Sequence, residues 1–385
     1  MTKKIFALLC CSTVVFATLI FATQSFVVSA EPYPVKEILE PYIKNNEIAG
    51  IVAMVADRNN VLQMELLGFR NIEKQEPMTG DTLFWIASQT KPFTAVAAMI
   101  LVDRGKLSLT EPVTTYLPEL AEMRVIAEKD DHHTLLVPLD PPLTLAHLLS
   151  HTGGLRSDSP NHRRHGLETL PLRHTITAAL LTPLDHQPGK NYQYSNFGID
   201  LAAAIIERIA NEPFERLLQN HVFNPLNMKD TTFWPSEEQQ NRMALVYQLD
   251  EETNKLVSRN LGLRYPLHDR TQRFAEAGGG LFSTPNDLVK FYQMLLRGGE
   301  FNGKRIIKEE SVREIVIKRT GSLPQDYGLG MKTANGVFGH AGAAGTESVV
   351  NPHVDRVFLY FMQEFKLPKA GEAKLKFVRM AQDAR

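Results

Sequence analysis

The stretch Ser88-Gln89-Thr90-Lys91, followed directly by the apolar run Pro92 to Ile100, decides how the rest of the chain is interpreted. Apolar residues recur with helical spacing through this run and Gly105 supplies a stop, so the sequence predicts a helix that begins close to Ser88. A serine hydroxyl becomes a nucleophile only when a base removes its proton. A lysine three residues along lies on the same helical face, and burial keeps such an amine partly neutral. The pair predicts a nucleophile with its base, although the pattern alone also fits a capped surface helix.

The composition of the chain is that of an ordinary globular enzyme. Hydrophobic residues make up 43% and charged residues 22% of its 385 residues. Lys plus Arg (42) nearly equal Asp plus Glu (43), so the charge balance gives no reason to expect a nucleic-acid partner. The length allows one large domain or two lobes around a sizeable core.

The first thirty residues differ from the rest. Lys3 and Lys4 precede an apolar run from Ile5 to about Phe21, and Val28-Ser29-Ala30 is a small-residue ending. The pattern predicts a signal peptide over residues 1–30, cleaved after Ala30, and hence a periplasmic or secreted protein. The apolar run is long for a signal, so an uncleaved anchor remains the alternative and would be the protein's one attachment to a membrane.

The only two cysteines of the sequence, Cys10 and Cys11, lie inside this apolar run. Lipid modification of either is disfavoured because the large residues Leu8 and Leu9 precede Cys10. After cleavage, the mature chain would contain no disulfide and no thiol nucleophile.

The predicted elements alternate between strand-rich ends and a helical middle. A helix over Pro34 to Asn46 precedes a hairpin of Gly50 to Ala56 and Val61 to Phe69. Near the other end, four segments are predicted to be successive strands, and Glu372 to Ala384 a closing helix. The four strand segments are Tyr327 to Lys332, Gly336 to His340, Thr346 to Asn351 and Arg356 to Met362.

This order predicts an α+β fold in which an antiparallel β-sheet, built from both ends of the chain, is flanked by helices and interrupted by a mostly helical lobe. We expect one catalytic domain over residues 31–385. Its α/β lobe would comprise about 31–87 and 240–385, and its helical lobe about 88–239.

Two features of the helical lobe have alternative interpretations. His147 and His151 are four residues apart, as metal ligands can be, but no Glu-containing zinc motif accompanies them, so structural packing is favoured and no metal or other cofactor is predicted. The segment Arg156 to His174 is rich in His and Arg. We expect a solvated loop beside the site, with binding of an anionic substrate as the alternative.

Three separated patterns lie in one order along the chain: Ser88-x-x-Lys91, Tyr194-Ser195-Asn196 and His340-Ala341-Gly342. Together with Leu148 to Leu155 and Ala277 to Gly280, they resemble the motifs of the serine β-lactamase and penicillin-binding-protein superfamily. The resemblance is strongest to its class C branch, with the related DD-peptidases, D-aminopeptidases and esterases. It covers nearly all of the mature chain and implies the fold of that superfamily.

Acyl transfer needs a nucleophile, a proton shuttle, an oxyanion hole and groups that hold the substrate. The resemblance implies that Ser88 is the nucleophile and that Lys91 and Tyr194 shuttle the proton. A phenol acts as a base only if cations favour its anion, which Lys91 could do. We identify no second catalytic carboxylate and expect Glu215 to be a surface residue. The implied substrate-binding groups are the Asn196 side chain, His340, Gly342, and the backbone N–H groups of Ser88 and Ala343 as the oxyanion hole.

The third motif departs from the Lys-Thr-Gly of most β-lactamases. Ala341 lacks the hydroxyl that binds a substrate carboxylate, and one lost charge-assisted hydrogen bond costs roughly 1.5–3 kcal/mol. His340 is largely neutral at pH 7 unless its surroundings raise its pKa.

The sequence therefore predicts a secreted serine hydrolase that cleaves an ester, amide or β-lactam bond of a small-molecule or peptide substrate through an acyl-enzyme on Ser88. Its substrate preference is expected to be esterase- or D-peptidase-like. One alternative is a class C-type β-lactamase or DD-carboxypeptidase. An alternative of another class is a penicillin-binding sensor or an inactive scaffold.

Overall fold

The computed structural model describes residues 33–158, 170–263, 265–365 and 367–384. The predicted signal peptide and the centre of the Arg156 to His174 segment lie outside these residues. The strands are β1 Gly50–Ala56, β2 Val61–Asn71, β3 Glu76–Pro77, β4 Phe84–Trp85, β5 Val125–Lys129, β6 Thr134–Val137, β7 Val246–Asp250, β8 Lys255–Arg259, β9 Phe282–Ser283, β10 Glu300–Phe301, β11 Lys304–Arg305, β12 Lys332–Ala334, β13 Val337–Gly339, β14 Glu347–Asn351 and β15 Arg356–Phe361. The α-helices are α1 Val35–Lys44, α2 Lys91–Asp103, α3 Leu145–Leu149, α4 His174–Leu180, α5 Asn196–Ala210, α6 Phe214–Leu218, α7 Glu237–Asn241, α8 Pro285–Leu296, α9 Glu309–Val316 and α10 Pro368–Asp383.

The main sheet has seven strands in the order β12-β13-β14-β15-β1-β2-β3. Every neighbouring pair in it is antiparallel. The N-terminal strand β1 lies between β2 and the late strand β15, so the two ends of the chain meet in the middle of the sheet. The predicted antiparallel sheet built from both ends of the chain is confirmed.

Both faces of the sheet are covered, and β1 shows how its sequence allows this. All seven residues of Gly50-Ile-Val-Ala-Met-Val-Ala56 are buried. Successive strand side chains point to opposite faces. Val52 and Met54 therefore join the large core that contains α2 and α8, while Ile51 and Val55 join the core under α1 and α10. A continuous apolar run is what a strand between two helical layers requires.

The segment between β4 and β9 carries helices, short 3₁₀ turns and two small hairpins, β5–β6 and β7–β8. Its longest helix, α5, packs against α2, and its buried residues, such as Leu201 and Ile205, belong to the same core. Among the residues that the structure describes, no helix combines the length and the apolar character needed to cross a bilayer.

The prediction of a strand over Tyr327 to Lys332 was wrong. Only an isolated bridge joins these two residues, and the edge strand β12 begins at Lys332. Gly330 has a φ of 67°, and a Cβ on it would lie 2.5 Å from the carbonyl oxygen of Lys91. The segment therefore turns and packs against the start of α2 instead of extending, and this turn buries Tyr327.

Candidate active site

The predicted nucleophile lies at a sharp bend between β4 and α2. Ala87 has a φ of 46°, a left-handed conformation that costs a residue with a side chain about 1–2 kcal/mol. The bend is held because Thr90 Oγ1 donates to the Ala87 carbonyl at 2.7 Å and accepts the Leu281 N–H at 3.1 Å. Ser88 is partly exposed, whereas its neighbours Ala87 and Gln89 are buried. The strained backbone of Ala87 thus lies where the chain turns the Ser88 hydroxyl towards solvent.

Lys91 is fully buried and its Nζ has three oxygen neighbours. These are Ser88 Oγ at 3.1 Å, Asn196 Oδ1 at 2.7 Å and the Gly278 carbonyl oxygen at 2.5 Å. The amide and carbonyl oxygens can only accept hydrogen bonds. A neutral amine has two N–H donors and one lone pair, so in that state the donors are used by Asn196 and Gly278, and the lone pair is directed at the Ser88 hydroxyl. The sequence-predicted residues Ser88, Lys91 and Asn196 are therefore brought together.

The surroundings of Lys91 favour its neutral form. Burial lowers the pKa of Lys91 to about 7, against the opposing effect of the Glu276 and Asp200 carboxylates. Asp200 lies one turn after Asn196 on α5, and its Oδ1 accepts the Gly278 N–H at 3.1 Å. Burial raises the pKa of both carboxyl groups, well above the ordinary value for Asp200. At neutral pH, Lys91 is thus divided between ammonium and free amine.

Tyr194 lies two residues before α5, next to the lysine. Lys91 Nζ is 4.6 Å from the centre of its ring. Burial raises the pKa of Tyr194 to about 12, an effect that hydrogen bonding to Ser88 partly opposes. The expectation that Lys91 would stabilise a tyrosinate does not agree with this direction. Tyr194 is a phenol at neutral pH, able to donate a proton, and the group that can accept one is Lys91.

The third motif follows the end of β13 and makes a tight bend against the nucleophile segment. The Gly342 N–H donates to the Thr346 carbonyl at 2.8 Å, and the Gly345 N–H donates back to the Gly342 carbonyl at 3.1 Å. Gly342 packs against the backbone of Ile86, two residues before Ser88. Ala343 is exposed at the tip of the bend. The segments that carry the two predicted oxyanion-hole N–H groups therefore adjoin.

His340 is 3% exposed, and both its ring nitrogens have partners in the protein. Nε2 lies 2.9 Å from the Tyr327 hydroxyl and Nδ1 lies 2.6 Å from the Ala341 carbonyl oxygen. Burial, assisted by the positive charge of Lys91, lowers the pKa of His340 to about 3. The predicted neutral imidazole at this position agrees with that shift, but neither nitrogen is left free to bind a substrate.

The two histidines considered as metal ligands have structural partners. The His147 N–H donates to Thr144 Oγ1 at 3.3 Å and its Nδ1 accepts the Thr144 N–H, which caps α3. His151 is buried and accepts the Ser195 N–H at its Nδ1. Within the described parts of the chain, no group of three or more His, Cys, Asp or Glu side chains is arranged to hold a metal ion.

Arg156, at the start of the basic segment, forms an ion pair with Asp185 at 2.8 Å. Of the other basic residues of this segment, His162, Arg163, Arg164 and His165 lie outside the described residues, and His174 begins α4.

Sequence reasoning missed three residues of this region, Asp200, Glu276 and Tyr327, and gave a fourth, His151, only a packing role. Asp200 and Glu276 act on the pKa of Lys91, and His151 and Tyr327 lie behind Tyr194 and His340. Glu276 could have been noticed because it directly precedes Ala277-Gly278-Gly279-Gly280. The positions of Asp200 and Tyr327 depend on tertiary packing and carry no local sequence signal.

The fold and the Ser88–Lys91–Tyr194 arrangement are those of a serine hydrolase. Comparison with known proteins identifies the family: the Beta-lactamase family model matches residues 35–382. The chain is 34% identical to Protein Rv1367c of Mycobacterium tuberculosis (strain ATCC 25618 / H37Rv) over 354 residues, which cover 82% of this chain and 86% of that protein. It is 29% identical to Esterase EstB of Burkholderia gladioli over 278 residues, covering 66% and 67% of the two chains.

Among solved structures, the chain is similar to EstCE1, a hydrolase with promiscuous acyltransferase activity. The TM-score is 0.74 at 21% identity, over 90% of this chain and 97% of that chain. At this identity, the similarity bears on the fold alone. The chain belongs to the Beta-lactamase family, and the predicted membership of the serine β-lactamase and penicillin-binding-protein superfamily is confirmed. It is a serine hydrolase of this family.

Proposed function

We propose that this protein hydrolyses uncharged esters through an acyl-enzyme on Ser88. One observation carries the proposal: the buried Lys91 amine lies 3.1 Å from Ser88 Oγ, while its other two partners, Asn196 Oδ1 and the Gly278 carbonyl oxygen, can only accept. With a pKa of about 7, Lys91 holds a lone pair on Ser88 in a large fraction of molecules at neutral pH. A general base is most effective when its pKa lies near the working pH.

In the acylation step, the Ser88 hydroxyl gives its proton to the neutral Lys91 amine, and Ser88 Oγ bonds to the ester carbonyl carbon. The negative charge moves to the carbonyl oxygen, for which the N–H groups of Ser88 and Ala343 are the proposed donors. The bond to the alcohol then breaks. Its oxygen takes the Tyr194 proton, and the resulting tyrosinate takes the proton held by the Lys91 ammonium. The products are free alcohol, acylated Ser88, and neutral lysine and tyrosine.

Deacylation reverses these roles with water as the nucleophile. Water gives a proton to Lys91, and the hydroxide formed bonds to the acyl carbon. Ser88 Oγ leaves and regains a proton from the Lys91 ammonium, which releases the carboxylic acid. The same base and oxyanion donors serve both halves of the reaction, so no catalytic carboxylate has to contact the substrate.

The preference for uncharged substrates rests on the third motif. His340 is buried and neutral, and Ala341 has no hydroxyl, so neither side chain offers a cation or a donor to a carboxylate. Arg156, the first residue of the basic segment, is paired with Asp185. The similarity to a relative named as an esterase supports the same substrate class.

The test is a panel of three chromogenic substrates assayed with the protein and with its Ser88→Ala variant: a short nitrophenyl ester, a D-amino acid nitroanilide and a cephalosporin. We expect the ester to have the highest kcat/KM and the variant to have none of this activity. A faster cephalosporin would contradict the proposal in favour of a class C-type β-lactamase. A stable cephalosporin adduct without turnover would contradict it in favour of a sensor, and no reaction with any of the three substrates would contradict it in favour of a scaffold.

The charge preference has a separate test in the double variant His340→Lys with Ala341→Thr. We expect the ratio of its kcat/KM for the carboxylated cephalosporin to that for the ester to rise. Because each ratio is taken within one enzyme, errors in active-site concentration cancel. An unchanged ratio would place carboxylate recognition elsewhere in the site.

We also propose that the protein is exported and cleaved after Ala30. The support is the basic start, the apolar run and the small-residue ending of residues 1–30. N-terminal sequencing of the protein recovered from a periplasmic fraction is expected to begin at Glu31. An intact N-terminus in the membrane fraction would favour the uncleaved anchor.

A further inference from the structure

A second aromatic hydroxyl, that of Tyr327, lies behind the catalytic groups between two buried histidines. It is 3.2 Å from His151 Nε2 and 2.9 Å from His340 Nε2. Tyr327 is 1% exposed, as is His151, and His340 is 3% exposed. Neither Tyr327 nor His151 takes part in the proton transfers proposed above.

The two ends of this set of contacts fix the position of every proton along it. The Ser195 N–H donates to His151 Nδ1 at 3.1 Å, so that nitrogen carries no proton. A neutral His151 must then carry its proton on Nε2, which donates to the Tyr327 oxygen. The Tyr327 hydroxyl is free to donate to His340 Nε2. The proton of His340 is consequently on Nδ1, where it faces the Ala341 carbonyl oxygen at 2.6 Å.

The resulting chain of hydrogen bonds has one direction and joins the second motif to the third. Ser195, at its start, lies between Tyr194 and Asn196, and its side chain caps α5 by accepting the Gly198 N–H at 2.8 Å. Ala341, at its end, directly precedes the bend that packs against the nucleophile segment. The loss of one member would therefore loosen both the phenol and the oxyanion-hole segment.

We propose that Tyr327 and His151 are positioning residues, which hold the Tyr194 segment and the His340–Ala341 segment in register through this directional hydrogen-bond chain. The backbone of His151 supports the assignment, because its φ of 60° is unusual for a residue with a side chain. Its ring also packs against that of Tyr194, with the ring centres 4.3 Å apart. Strain retained at this residue aims the imidazole at both motifs.

The hydrogen-bond chain requires that both imidazoles stay neutral, and the groups around them favour the neutral form. The charged and titratable side chains that face them are Lys91, Lys332, Tyr192, Tyr194 and Tyr327. Burial is the main cause of the lowered pKa of each histidine, and the positive charge of Lys91 acts in the same direction. Protonation of either imidazole would put a hydrogen on His151 Nδ1 or on His340 Nε2, the two nitrogens that must accept a hydrogen bond.

The direct test is nitrogen NMR of the full-length protein with labelled histidine, which distinguishes the two neutral tautomers from imidazolium. Single His→Gln variants assign the signals of His151 and His340. We expect His151 to be protonated at Nε2 and His340 at Nδ1, with no titration of either between about pH 5 and about pH 8. The opposite tautomer of either residue, or a titration in this range, would overturn the proposal. This test needs no substrate, so it stands even if the proposed esterase function fails.

The Tyr327→Phe variant tests the functional part, which rests on the proposed function, with Tyr192→Phe as the matched control. Tyr192 packs against both His151 and Tyr327, with ring centres 5.8 Å apart in each case, but is not a member of the chain. We expect Tyr327→Phe to raise the pKa of His340, because the neutral ring loses a donor, and to lower kcat for the ester about tenfold with little change in KM. Tyr192→Phe should leave the histidine signals unchanged. Unchanged His340 signals and kcat in Tyr327→Phe would refute the positioning role.

Discussion

Gly342 lies so close to Ile86 that a Cβ on the glycine would be 2.4 Å from the Ile86 carbonyl oxygen. The same Cβ would be 2.1 Å from Thr346 Oγ1. Only a residue without a side chain lets the third motif approach the backbone that precedes Ser88. This contact holds together the two segments that carry the proposed oxyanion-hole donors.

Gly342→Ala is therefore expected to lower kcat/KM at least about tenfold, because the bend must move away from Ser88 and displace a donor. Ester kinetics with active-site titration would measure the effect. The matched control is Gly371→Ala, since a Cβ at this position on α10 meets nothing within 4 Å. Equal activities of the two variants would show that the contact with Ile86 is not required.

The pH dependence of kcat/KM for an uncharged ester is expected to reflect Lys91. Only the free amine accepts the Ser88 proton, so the rate should rise as the pH passes through about 7 and level off above it. The Glu276 carboxylate favours the ammonium form of Lys91, so Glu276→Gln should move the acid limb to lower pH. Glu300→Gln, which removes an exposed carboxylate paired with Arg305, should leave it in place. If the acid limb of the pH profile of kcat/KM stayed fixed or moved to higher pH in Glu276→Gln, the result would contradict this account.

The order of the motifs made part of this site predictable. Ser88 with Lys91, Tyr194 with Asn196, and the third motif could each be located because the spacing within each motif is local and the family order is fixed. The strands β1, β2, β14 and β15 could be located because they are apolar runs bounded by turn residues. The buried surroundings of Lys91 could not be predicted, because Asp200 and Glu276 reach the lysine from different parts of the chain. Tyr327 was assigned to a strand because nothing in its local sequence shows that Gly330 packs against Lys91.

Tyr194→Phe is expected to lower kcat at least about a hundredfold, the usual loss for a general acid–base group. KM should change little, because the ring that packs on Lys91 and His151 is retained. Steady-state and single-turnover kinetics would separate acylation from deacylation. Near-normal rates in this variant would mean that Lys91 alone carries the proton to the leaving group.

Glu364 provides a prediction about stability that is independent of catalysis. Burial raises its pKa to about 8 from an ordinary value of 4.5, and within the described structure its Oε2 has no hydrogen-bond partner. Between these two values, the folded state keeps a proton that the unfolded state has released, so stability falls as the pH rises. Glu364→Gln should raise Tm by at least about 2 °C more at pH 8 than at pH 5. The exposed control Glu252→Gln should show no such difference, and an equal shift at both pH values would contradict the assignment.

Acylation of Ser88 is the central claim, and mass spectrometry of the protein quenched during turnover of a slow ester tests it most directly. We predict a single adduct with the mass of the acyl group, located on the peptide that contains Ser88, and no adduct and no turnover with folded Ser88→Ala. An acyl group on any other residue, or turnover retained in Ser88→Ala, would contradict the account.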